Sequence, residues 1–95
     1  MNRVTFSPAA IAELEDIWGY TAEQWGLDQA EQYIDRIRDA CIGLANGEKQ
    51  GRIVGVREGY LKYATMRHLV FFREVDAGLV VIRVLHQRMD PDRHL

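Results

Sequence analysis

A single cysteine, Cys41, rules out any disulfide within this chain and removes the usual framework of a small secreted domain. Proline is nearly as scarce, with only Pro8 and Pro91, so a proline-rich linker is excluded. No apolar run approaches the roughly 20 residues a membrane helix needs. The start, Met1 to Phe6, has no apolar core of a signal peptide, so a soluble cytoplasmic protein is expected. Three scattered histidines and one cysteine do not make a metal-ligand spacing. A Ser-His-Asp arrangement, a Walker-type loop and a dinucleotide glycine fingerprint are also missing, so no cofactor or metal is expected.

What is present suits one folded domain. Ninety-five residues with 47% hydrophobic content are enough for one core and too many apolar groups for a disordered tail. The net charge of −2 hides an uneven distribution. Residues 1–48 carry −6, and residues 49–95 carry +4. A basic second half suits an anionic partner such as RNA, DNA or an acidic peptide, though each single arginine reads first as a solvating charge on a sheet.

Arg3 to Phe6 predicts a short strand. Ser7-Pro8 then reads as a helix N-cap followed by proline at the first helical position, where its missing N–H costs nothing. Apolar residues at Ile11, Leu14, Trp18, Ala22 and Trp25 predict one buried face, with Trp18 and Trp25 in the core or in a seam between helices and Tyr20 exposed. Gly26 ends that helix. Asp28 and Glu31 predict a capping box for a second helix, whose buried face is Tyr33, Ile34, Ile37, Cys41 and Leu44. So short a turn makes the two helices an antiparallel hairpin. Cys41 reads as a buried structural thiol.

Residues 46–59 predict a loop with turn glycines and a short strand near Ile53-Val54. Strands follow over 60–65 and 68–75, joined at Met66-Arg67. A three-residue loop, Asp76-Ala77-Gly78, leads to a last strand over 79–86, apolar on both faces apart from Arg83 and therefore interior. The order β-α-α-β-β-β predicts an α+β fold over residues 1–95, with the helical hairpin on one face of a small, mainly antiparallel sheet. Phe71 and Phe72 point to opposite faces, one under the helices and one on the open face as a possible anchor for a partner.

For chemistry, Arg57, Lys62, Arg67, Arg83 and His86 are the polar candidates on the sheet. Cleavage of RNA needs a base, an acid and cations for the phosphorane charge. His86 is the best acid or base by intrinsic pKa, but a lone titratable group at a strand end reads first as a hydrogen-bonded histidine at the edge of the core. His68 reads the same way. After His86 comes a segment rich in arginine, with Arg88 and Arg93 beyond a buried strand and Pro91 unable to continue a ladder.

The segment Leu85-His86-Gln87-Arg88-Met89-Asp90-Pro91 resembles the C-terminus of ParE-type toxins, within the wider ParE/RelE family of bacterial toxin–antitoxin modules. Ser7-Pro8-Ala9-Ala10, Asp28-Gln29-Ala30-Glu31 and Arg67-His68-Leu69-Val70-Phe71-Phe72-Arg73 extend the resemblance over nearly the whole chain. It implies a toxin that inhibits DNA gyrase by binding and is held inactive by a ParD-like antitoxin, which also contacts operator DNA. The pattern near the end lacks the tyrosine and further basic residues of the RelE branch, so a ribosome-dependent mRNA interferase is the alternative, with an inactive antitoxin-binding partner as the third. Antitoxin contacts are expected at Arg57, Lys62, Arg67, Arg73, Phe71 and Phe72. Target contacts are expected at His86, Arg88, Met89 and Arg93, on a tail that adds nothing to the core.

Overall fold

A computed structural model describes residues 2–55 and 57–95, with every side chain among them except that of Asp92. The elements are β1 (Arg3–Phe6), α1 (Pro8–Trp25), α2 (Leu27–Ala45), β2 (Arg52–Ile53), β3 (Leu61–Thr65), β4 (His68–Val75), β5 (Gly78–His86) and a 3-10 turn (Pro91–Arg93). Val56, within the expected loop, lies outside the described residues. The sheet order is β1-β5-β4-β3-β2. Among the described residues β1 and β5 run parallel and the other pairs are antiparallel. The α+β architecture expected from the sequence is therefore present.

Ser7 caps α1 as expected: its hydroxyl accepts the Ala10 N–H at 3.0 Å and donates to the Ile82 carbonyl at 2.5 Å. The second helix starts differently. Its N-cap is Gly26, with no side-chain cap, and Asp28 lies in the first turn. Gly26 takes a φ of 93° that a side chain would disfavour, and that one residue both closes α1 and opens α2. A separate aspartate cap has no turn left to act on.

The two helices cover one face of the sheet. Ile34, Ile37, Cys41 and Leu44 of α2 pack on Val70, Phe72, Leu79, Val81 and Val84. The α2 stripe agrees with the expectation. The α1 stripe does not. Its buried residues are Ala10 and Thr21, with Leu14 and Ile17 packed alongside, while Ile11, Trp18 and Trp25 are exposed. Small residues let α1 approach closely, and the tryptophans are turned outward.

A β-bulge in β5 sets which residues face the helices. Phe71 lies opposite Arg83 and Phe72 opposite Val81, so Ile82 is the extra residue. Period-two alternation would put Val81 and Val84 on opposite faces. The bulge returns Val84 to the helix side, and with it His86.

The hairpin from β4 to β5 is one residue tighter than expected. Asp76 and Ala77 form the turn, and Gly78 already pairs with Val75 and with Arg3 of β1. A Cβ on Gly78 would overlap the backbone of Arg3, so glycine there is what lets β1 dock.

Candidate functional site

Two regions of the molecule gather the polar residues singled out in the sequence. The first is a half-open cleft of about 450 Å³ between the helical hairpin and one end of the sheet. Ile17, Tyr20, Thr21 and Trp25 of α1 form one wall; Gln29 and Tyr33 of α2 extend it. Arg67, His68 and His86 form the opposite wall, with Asp16 at the edge.

The histidines lie directly across from each other on β4 and β5, with ring centroids 5.3 Å apart. His68 Nδ1 shares a 2.6 Å hydrogen bond with the Tyr33 hydroxyl. Burial, helped by repulsion from His86, pushes the His68 pKa down to about 4, so the ring is neutral at pH 7. Burial likewise raises the Tyr33 pKa, against the Arg67 backbone N–H, which favours the phenolate. His86 accepts the Arg88 N–H at Nδ1, 3.2 Å away. The Thr21 hydroxyl is turned back onto the Ile17 carbonyl. Tyr33, His68, Thr21 and His86 Nδ1 are thus engaged within the protein.

The second region is the face of the sheet away from the helices. Lys62 lies opposite Phe71 in the ladder, and Arg73 is two residues beyond Phe71, so both share its face. Arg57 stacks on the Tyr60 ring at 5.4 Å, beside the same cluster. The structure thus brings Arg57, Lys62 and Arg73 together and sends Arg67 to the cleft.

Neither phenylalanine is available as a free anchor. Phe72 is buried under the helices, and Gly51 lies so close to its ring that a Cβ there would stand 2.6 Å away. Phe71 faces the other way, as expected, but it is fully buried with Val54 and Leu85 beneath Tyr60, Leu69 and Leu95. A loop and the tail close over the face that was expected to stay open.

The tail is correspondingly part of the packing, which corrects the expectation that it adds nothing to the core. Leu95 sits on the Phe71 cluster. Arg83 donates from one terminal nitrogen to the His94 carbonyl at 2.6 Å and pairs with Glu13 of α1 at 2.6 Å. The other Glu13 oxygen accepts the Val84 N–H at 2.8 Å. Because β1 ends at Phe6, opposite Val81, Ser7 and Glu13 take over the hydrogen bonding of β5 beyond it. The sequence gives no sign of this pair, whose members are 70 residues apart. Arg83, one of the cations considered for RNA cleavage, is committed to structure.

Of the expected target residues, His86 faces the cleft, and Arg88 and Met89 follow in an exposed turn. Arg93 is exposed on the 3-10 turn. Cys41 is buried, with its pKa pushed up to about 11 by desolvation, as suits an inert core thiol. Among the described residues no group of three or more His, Cys, Asp or Glu could hold a metal ion. No described helix is long and apolar enough to cross a membrane.

Residues 4–91 match the family model described as the ParE toxin of the type II toxin–antitoxin system, parDE. The chain belongs to the ParE toxin family. It is similar to Toxin ParE1 of Mycobacterium tuberculosis, strain H37Rv, at 45% identity over 99% of this chain and 98% of that one. It is 35% identical to Toxin ParE1 of Caulobacter vibrioides over 100% of this chain and 99% of the relative. Among solved structures, a chain of the chromosomal ParDE system from P. aeruginosa superposes with a TM-score of 0.75 at 17% identity, covering 90% of this toxin and 96% of that chain. A chain of the YoeB–YefM complex from Staphylococcus aureus superposes at 0.57 and 13% identity, covering 92% and 98%, and shares the fold alone. The toxin thus has its two regions, an aromatic cleft and a basic sheet face, on a fold common to both groups.

Proposed function

We propose that this ParE toxin acts by binding DNA gyrase in the cytoplasm, without catalysis of its own, and is neutralised by a ParD-like antitoxin. The state of the two histidines carries the argument against hydrolysis. An RNA-cleaving site needs free acid–base groups surrounded by cations. Here His68 is neutral and tied to Tyr33, His86 Nδ1 is taken by a backbone N–H, and Arg67 is the one cation among the described lining residues. The antitoxin is assigned to the basic sheet face around Arg57, Lys62 and Arg73, where an acidic segment gains orientation and on-rate from charge. Target contact is assigned to His86, Arg88, Met89 and Arg93.

The test is a gyrase supercoiling assay run beside a ribosome-dependent mRNA cleavage assay. Purified toxin should block supercoiling, and cognate antitoxin should restore it, with mRNA left intact. Cleavage of ribosome-bound mRNA that disappears in a folded His86→Ala variant would reverse the reading.

A further inference from the structure

The cleft carries more than its two histidines. Residues 4–35 contain no lysine or arginine but seven acids, Glu13, Glu15, Asp16, Glu23, Asp28, Glu31 and Asp35. Glu13 is consumed by Arg83. Asp16, Glu23, Asp28 and Glu31 are exposed, and among the described residues no cation pairs with them. Set into this acidic stretch are two large aromatic residues that the core does not use. Tyr20 is 61% exposed and Trp25 58%, and they hold each other edge to face at 6.3 Å, along the wall of the cleft. Leu27, at the tip of the hairpin, is 62% exposed.

Exposed, mutually ordered aromatics beside a concave apolar wall are the usual anchors of a protein interface. The surrounding charge selects the partner. Asp16 lies at the helical edge of the cleft and Arg67 on the sheet wall, so the acids of the hairpin disfavour nucleic acid or an acidic segment along the helical side. A lysine or arginine side chain gains twice: its charge meets Asp16, and its cation can sit on the face of Trp25 or Tyr20. Its aliphatic stem fits apolar walls.

We propose that the cleft between the helical hairpin and the β4–β5 end is a docking site for a basic, apolar-anchored protein segment of the toxin's target, separate from the antitoxin face. This deepens the reading of a toxin that acts by binding and rests on it. The target segment presents Lys or Arg flanked by aliphatic or aromatic residues. Charge separates the two partners, with the acidic one on the sheet and the basic one on the helices.

The test uses the full-length protein and three labelled probes: a 12-residue peptide of alternating Lys, Leu, Arg and Trp, its counterpart with Glu in place of Lys and Arg, and a 12-nucleotide RNA. The basic peptide should bind, should shift the Trp25 indole and the His68 and His86 ring signals, and should weaken with salt. Asp16→Lys and Trp25→Ala should each lower its affinity about tenfold, roughly 1.4 kcal/mol. The charge-matched Glu48→Lys, beyond the far end of α2, should not. The same two variants, at unchanged Tm and antitoxin affinity, should lose growth arrest. Equal or tighter binding of the acidic peptide or RNA overturns the proposal, as does full toxicity of both variants. Wild-type protein that fails to arrest growth overturns instead the binding-toxin reading, while the peptide titration still judges the cleft.

Discussion

Phe72 and Phe71 are neighbours in the chain and lie on opposite faces of β4, and the two faces are closed by different means. Phe72 sits in a core built by two helices and four strands. Phe71 sits in a cluster of three buried residues, covered by parts of a loop and by Leu95. The first cover is continuous secondary structure, and the second includes a tail tied down by the reach of Arg83 to the His94 carbonyl. A loop and a terminal turn open locally at lower cost than a packed helix pair does. The helix side therefore supplies the larger share of stability.

Substitutions can break this contrast. The largest effect is expected at the point where both faces depend on one backbone contact. Gly78→Val should drive β1 off β5, because a Cβ there overlaps Arg3, and cost about 3 kcal/mol or more in urea unfolding, if the protein folds at all. Next come the two phenylalanines. Phe72→Ala should cost about 4 kcal/mol and Phe71→Ala about 2 to 3, since the smaller cluster can collapse around the gap. Equal costs would mean that the two covers are equally rigid.

Deleting residues 91–95 should lower stability by about 1 to 2 kcal/mol, through re-exposure of the Phe71 cluster and loss of an Arg83 hydrogen bond. It should also increase dye binding to exposed apolar surface. An unchanged Tm would return the tail to the free state expected from the sequence.

A further effect, confined to acid pH, is a pH dependence. The folded protein holds His68 at a pKa of about 4, below the ordinary 6.5 of an unfolded histidine. Between those values the unfolded chain binds a proton that the folded one does not. Above pH 6.5 both are neutral and the residue adds no slope. As pH falls from 6.5 towards 4, stability should decline, and a folded His68→Gln variant should show a flatter Tm profile over that window.

The parts of the fold that were legible in the sequence are those fixed by local pattern. Ser7-Pro8 marks a helix start because cap chemistry acts over three residues. The stripe of α2 could be read because Ile34, Ile37, Cys41 and Leu44 fit only one face. In α1 two stripes satisfy the same period, and hydrophobicity favours the wrong one. The stripe that packs is chosen by the close approach that Ala10 and Thr21 permit, which no periodicity reports. The bulge at Ile82 was invisible because both alternating sets of β5 are apolar. For the candidate site, His86 and the basic residues could be named, but not their grouping. The pairing of Tyr33 with His68 and the clamp from Glu13 to Arg83 join residues 35 and 70 positions apart, and each depends on a register set elsewhere.

That register is reset at one residue. Ile82 acts as a phase shifter between the two halves of β5: the first half is tied to β1, the second carries Val84 and His86 to the helix side. Loss of its single codon would restore strict alternation, because Val81, Arg83 and Val84 already lie opposite Phe72, Phe71 and Val70. Arg83 and Leu85 would stay on the tail side, and Val84 and His86 on the helix side. The cost would be the bend and added twist of the bulge and the Ile82 carbonyl that accepts the Ser7 hydroxyl. One residue can thus be removed here without exchanging the faces, whereas pairing Ile82 as an ordinary strand residue would exchange them, taking a wall from the cleft and a member from the Phe71 cluster.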